Sequence, residues 1–143
     1  MKFELIIDPA AEEKVTVVVK ERNKIAEEIK ALVTESEIEL VGFMGKEGEK
    51  ISPDEVCFFA AEGDKIFAST QEKELVIKSR LYLLEERLPK SFIKINQSCL
   101  ANIDMITRFD ASVSGTLRVY FKNGKSDYVS RRQLKYVKER LGL

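Results

Sequence analysis

Apolar positions change their period along this chain, and each change marks an element. Lys2 to Ile7 and Val15 to Val19 are short runs rich in β-branched side chains on either side of Asp8-Pro9, which predicts two strands. Ile25, Ile29, Leu32 and Val33 then recur at helical spacing, with Lys24, Glu27, Glu28 and Lys30 elsewhere around the wheel. That pattern predicts an amphipathic helix from Asn23 to Glu35 capped by Asn23. From Glu39 the period shortens to two. Strands are expected at Leu40 to Met44, Glu55 to Ala60, Ile66 to Thr70 and Glu74 to Ile77, with turns at Lys46 to Glu49, Glu62-Gly63-Asp64 and Gln71-Glu72-Lys73. Helical spacing returns at Leu81, Leu84 and Leu88, between Ser79 as cap and Pro89 as stop. Four more strands follow, at Phe92 to Asn96, Met105 to Phe109, Thr116 to Phe121 and Ser126 to Val129. Asn123-Gly124 joins the last two and predicts a type I′ turn, and a short helix closes the chain from Arg131 to Leu141.

The expected fold is mainly β with short helices (α+β). Residues 1–36 read as a small β-β-α module and residues 37–143 as an antiparallel β domain. The module is too small to bury its helix and strands alone, so it either covers an edge of the main sheet or pairs with a second copy.

Composition agrees with a globular chain: 44% of residues are apolar and 34% charged, enough for a real core over 143 residues. Met1-Lys2-Phe3-Glu4 has no apolar signal core, and no run approaches the roughly 18 apolar residues of a membrane span. Two cysteines make no disulfide framework, and Cys57 lies in the apolar run Val56 to Phe59 as a buried thiol would. A reducing, cytoplasmic setting is expected. Net charge is zero, with 24 basic and 24 acidic side chains, but the average hides a division. Residues 1–87 hold 13 basic against 20 acidic side chains, a net of −7, and residues 88–143 hold 11 against 4, a net of +7. A basic end on an acidic body is the footprint of a polyanion partner, or of unevenly scattered surface charge.

Enzymatic chemistry finds few tools here. The chain has no histidine, which removes the commonest general base and metal ligand. Neither cysteine has a C-x-x-C partner, and no phosphate-cradling glycine motif occurs. The pairs Glu12-Glu13, Glu27-Glu28 and Glu85-Glu86 read as solvated surface. No catalytic residue, cofactor, metal site or small-molecule substrate is implied.

Several segments occur in an order that carries more information. These are Asp54 to Phe59, the leucine-rich helix ending in Leu88-Pro89, and the strand Phe92 to Ile95 followed by Asn96-Gln97-Ser98 and Asn102; the series ends with Asn123-Gly124 leading into Val129-Ser130-Arg131-Arg132. Over about Asp54 to Leu143 the chain resembles the LytTR family of bacterial DNA-binding domains. The resemblance implies packed antiparallel sheets whose loops enter successive major grooves on one face of bent DNA, and a transcriptional regulator. The segment before the domain is too short for a phosphate-accepting receiver, so a form without one is expected.

Position by position, the resemblance implies DNA contact at Asp64 and Lys65 in the first loop, at Asn96, Gln97 and Ser98 in the second, and at Ser130, Arg131 and Arg132 before the last helix. Asn96 and Gln97 depart from the family, where a histidine and a cation are common, so a charge-assisted contact is lost there. The residues of the last segment support the same reading independently. Leu134, Val137 and Leu141 form an inward stripe, which turns Arg132 and Lys135 outward with Arg131 at the flank. An arginine at a helix start can offer its fork to guanine O6 and N7, whereas Lys94, Lys122, Lys125, Lys135 and Lys138 suit phosphates. An ordinary solvated, basic helix face would have the same composition.

The expected function is sequence-specific duplex DNA binding by a transcriptional regulator. The alternative is a protein-interaction or sensor module that keeps the fold and has lost DNA binding, favoured by the uncharged Asn96 and Gln97 and by Glu62 and Asp64 beside Lys65. A homodimer joined through the N-terminal module is expected to span two half-sites, and a membrane protein is a candidate regulator of that module. Tyr120, Phe121 and Tyr128 read as core or cross-strand pairs before a base-stacking platform. The hydroxyl-rich loop Ser112 to Gly115 reads as a turn before a phosphate contact.

Overall fold

The computed structural model describes residues 2, 4–34, 39–111 and 115–143. Helix α1, Lys24–Thr34, forms where the apolar period predicts it. Asn23 caps it, its Oδ1 accepting from the Ala26 N–H at 2.9 Å. Asp8-Pro9 opens a turn, with the Ala11 N–H bonded to the Asp8 carbonyl at 3.0 Å. The two N-terminal strands are a correction: the described residues from 4 to 23 carry no strand and join neither sheet. A two-stranded ribbon with no layer beneath it is marginal in water, and Leu5, Ile6, Ile7 and Val18 are exposed. Phe3 and Ser36 of the expected module lie outside the described residues.

Among the described residues ten strands follow, in two antiparallel sheets. The large sheet holds β1 (Leu40–Met44), β2 (Glu47–Ile51), β3 (Val56–Glu62), β4 (Lys65–Thr70), β5 (Glu74–Ile77), β6 (Phe92–Asn96) and β7 (Cys99–Asn102), in the order β2-β1-β5-β4-β3-β7-β6. The small sheet holds β8 (Ile106–Ala111), β9 (Leu117–Phe121) and β10 (Ser126–Val129), with β9 central. Helix α2, Leu81–Arg87, starts after Arg80 instead of after a Ser79 cap, and Pro89 follows its end as expected. Helix α3, Leu134–Leu141, begins three residues later than the spacing suggested, leaving Arg131 and Arg132 in the preceding turn.

The large sheet is the middle layer. On one side Val56, Phe59, Ala68, Leu75 and Leu100 pack with Leu84 and Leu88 of the α2 segment. On the other, Cys57, Phe58, Ile93, Ile95 and Ala101 pack with Leu117, Val119 and Phe121 of the small sheet and Val137 of α3. Central strands covered on both faces lose the polar alternation of a half-exposed strand. All four residues of β7 are buried, which is why Cys-Leu-Ala-Asn did not read as a strand. Strand β2 was missed for the opposite reason. Only Ile51 of its five residues is buried, so the segment reads as a turn although it pairs with all of β1.

The Asn123-Gly124 turn is not type I′. Gly124 has φ +83°, but no described residue other than glycine has a positive φ. The Phe121 carbonyl accepts from Gly124 N–H and the Phe121 N–H donates to the Lys125 carbonyl, both at 2.9 Å. This is a three-residue loop with glycine in the left-handed position. Asn123 instead ties the loop to the large sheet. Its Nδ2 donates to Ser69 Oγ at 2.9 Å and to the Thr70 carbonyl at 3.1 Å, fastening the small sheet to the end of β4.

Candidate nucleic-acid interface

Strand direction brings three connections to one end of the molecule. The β3–β4 turn is closed by the Glu62 and Lys65 pair, with Gly63 at φ +61° and Asp64 between them. Strand β7 runs antiparallel to β3 with Cys99 opposite Ala60, so the β6–β7 turn, Gln97-Ser98, lies beside it. The Ala61 N–H donates to the Ser98 carbonyl at 2.8 Å and joins the two turns directly. The third connection is the turn from β10 into α3, whose Ser130 N–H donates to the Ile95 carbonyl at 2.8 Å.

Asn96 holds these pieces together. It is 2% exposed, and its amide is engaged at both ends. Its Nδ2 donates to the Tyr128 carbonyl at 2.8 Å and its Oδ1 accepts from the Ser98 N–H at 2.9 Å. A buried, doubly bonded amide has its polar atoms turned inward, away from any ligand in solvent. Asn102 does the same on the next strand: it is 2% exposed, donates to the Val56 carbonyl at 3.0 Å and accepts from the Asp104 N–H at 3.1 Å. Sequence reasoning placed Asn96 in the groove-facing loop and missed its bracing role. The available signal was weak: alternation from Phe92 does not separate Asn96 from Gln97 and Ser98, and only its place at the strand end, where a backbone group needs a partner, sets it apart.

The remaining candidates divide by position. Asp64, Lys65, Gln97, Arg131, Arg132 and Lys135 stand at the surface, Ser98 closes the second turn, and Ser130 is half-buried. Lys94 lies on edge strand β6 opposite Leu100, which faces the α2 side, so its layer differs from that of Arg131 and Arg132. A lysine on a sheet edge also discourages pairing with another strand. Lys122 and Lys125 sit at the far end with the Asn123 loop, and Lys125 is ion-paired to Glu74. Arg140 is engaged too, donating to the Lys90 carbonyl at 2.8 Å and to Tyr136 Oη at 2.9 Å. The Ser112 to Ser114 part of the hydroxyl-rich loop lies outside the described residues.

Phe121 is buried with its ring centroid 4.7 Å from that of Phe58, as the core reading expected. Tyr120 and Tyr128 face outward, and the Arg108 guanidinium lies 3.8 Å from the centre of the Tyr120 ring.

Both thiols are buried and free. Burial holds the Cys99 thiol well above its ordinary pKa, and the neighbouring Asp127 carboxylate adds to the shift. Burial also raises Cys57, partly opposed by a backbone hydrogen bond from Asn123. Among the described residues, no group of three or more Cys, Asp or Glu could hold a metal ion. No helix among them is long and apolar enough to cross a membrane.

Comparison with known proteins gives this geometry a context. The family model described as the LytTr DNA-binding domain matches residues 46–142. Two uncharacterized HTH-type transcriptional regulators from Staphylococcus aureus, of strains NCTC 8325 / PS 47 and COL, are each 36% identical over 104 residues, covering 73% of this chain and 71% of theirs. A solved LytTr DNA-binding domain from Bacillus cereus superposes with a TM-score of 0.69 at 23% identity, covering 73% of this chain and 97% of that one. Among the described residues no two α-helices are consecutive, so the basic turn before α3 belongs to a β framework and not to a helix-turn-helix.

Proposed function

Because the chain belongs to the LytTr DNA-binding-domain family, a family of DNA-binding regulators, we propose that its three clustered turns form the surface that enters the major groove. The observation that carries this reading is their convergence. Gly63 to Lys65, Gln97-Ser98 and Ser130 to Arg132 come from distant parts of the chain, yet the Ala61–Ser98 and Ser130–Ile95 backbone bonds and the Asn96 amide link them at one end.

Roles follow from side-chain chemistry. Arg132, exposed in the turn before α3, offers a planar fork for guanine O6 and N7. Gln97 is an uncharged amide suited to the N6 and N7 of adenine. Lys65, Arg131 and Lys135 are charges for phosphates, while Ser98 and Ser130 offer hydroxyls. Asn96 is assigned to positioning and not to contact. Asp64 repels phosphate, and its place at a turn tip orients that loop toward base edges, where a carboxylate accepts from cytosine N4.

The test is equilibrium binding to duplex DNA over a salt series. If three or four cations engage phosphates, log K should fall with log salt at a slope of about −3 to −4. Absence of duplex binding at low salt would favour the protein-interaction reading, which the acidic neighbours Glu62 and Asp64 of Lys65 support.

A further inference from the structure

The small sheet covers only part of the large one. Beyond its reach, on the side facing away from α2, Phe67 of β4 stands directly opposite Val76 of β5, and Val76 directly opposite Phe43 of β1. The three side chains form a lateral row, each only partly covered, and Val41 on the same face is 47% exposed. The row is held in place. Phe43 leans over Gly48, where an added Cβ would come within 2.9 Å of the ring, and Lys78 Nζ lies 4.3 Å from the ring centre.

Helix α1 carries a matching surface. Ile25, Ile29 and Leu32 share one side of it, and Ile25 and Leu32 are 51% and 62% exposed. An isolated helix of 11 residues is marginal in water and gains most of its stability by packing its apolar face. From Ile25 to Leu32 the stripe rises about 10 Å, close to the two interstrand spacings, also about 10 Å, between Phe67 and Phe43. The borders carry charges of opposite sign, each with a partner in its own chain. Glu28, ion-paired to Lys24, flanks the helix stripe at a turn of about 60° from Ile25, while Lys78 and Lys50 border the row, Lys78 over the Phe43 ring and Lys50 opposite Val41 and ion-paired to Glu39.

We propose that this open half of the large sheet docks helix α1 of a second copy of the chain. Within one copy, Leu32 of the stripe and Val41 beside the row both stay exposed, so neither surface is fully covered by its own chain. Two copies exchanging helices about a twofold axis would cover both faces and form the contact twice. The proposal is independent of DNA reading and is tested without DNA.

Sedimentation equilibrium of the full chain at micromolar concentration should give twice the 16.3 kDa monomer mass. Leu32→Glu and Val41→Glu alter exposed positions on opposite sides of the contact, and each should weaken association at least about tenfold while leaving the circular dichroism spectrum unchanged. Oxidation of a tagged Leu32→Cys chain mixed with an untagged Val41→Cys chain should give a disulfide-linked heterodimer. Three results would overturn the proposal: a monomer at every concentration, association insensitive to both substitutions, or a Leu32→Cys/Val41→Cys double variant that cross-links only within one chain.

Discussion

At the scale of single residues, two side chains at this end of the molecule differ in kind. Arg132 is exposed and can meet a base, whereas Asn96 is buried and fixes where its neighbours stand. Arg132→Ala should cost about 1–3 kcal/mol of discrimination between a preferred and a scrambled duplex, read by fluorescence anisotropy. Lys135→Ala should weaken binding to both duplexes about equally and lower the salt slope by about one. Asn96→Ala should destabilise the fold by about 1–3 kcal/mol in urea unfolding, because it leaves the Tyr128 carbonyl and Ser98 N–H without their partner. A loss below about 0.5 kcal/mol would mean that solvent satisfies both groups. The sequence displayed the chemistry of both residues, but not which one faces inward: that depends on strand β10 returning across β6, a long-range contact no local pattern records.

At the scale of elements, spacing revealed structure wherever one face is buried and the other wet. Strands β1 and β5 alternate in burial and begin and end where expected, as do β10 and β6, the last marked by its turn residues although four of its five positions are buried. It failed at the extremes, in β7 with every residue buried and in β2 with four of five exposed. The Asn123-Gly124 pair marked a hairpin correctly but not its geometry, because the Asn123 side chain is drawn onto Ser69 and Thr70. Gly124→Ala should therefore cost roughly 1–2 kcal/mol, since φ +83° disfavours a Cβ. Full stability in thermal unfolding would indicate a loop that readjusts.

Strand β7 also carries a pH consequence. The folded chain raises the Cys99 pKa above its ordinary value of 9.0, so it holds the thiol proton more tightly than the unfolded chain does. Its contribution to stability is thus complete below about pH 8 and declines as pH rises through the ordinary thiol range toward the raised folded value. Ellman's reagent at about pH 8 should react with neither cysteine until denaturant is added. Rapid reaction in the folded state would show that β7 opens.

At the scale of the whole molecule, the division of charge seen along the sequence becomes a division in space, though not the one that counting suggests. The basic C-terminal part places Arg131, Arg132 and Lys135 near the clustered turns, but Lys122 and Lys125 at the opposite end, where Lys125 meets Glu74. Lys65 belongs to the acidic part of the sequence and yet stands with the clustered turns. Net charge per segment therefore pointed to the right class of partner but mixed two surfaces.

Comparing those two ends is the most direct test. Binding to duplex DNA should be measured at one low and one moderate salt concentration for Lys65→Glu/Arg132→Glu and for Lys122→Glu/Lys125→Glu, two variants of equal charge change. If the clustered turns enter the groove, the first should lose at least about a hundredfold in affinity and the second only the few-fold expected of a distant, screened charge. Equal losses from both variants, or a greater loss from the second, would contradict the assignment of the DNA surface to these three turns.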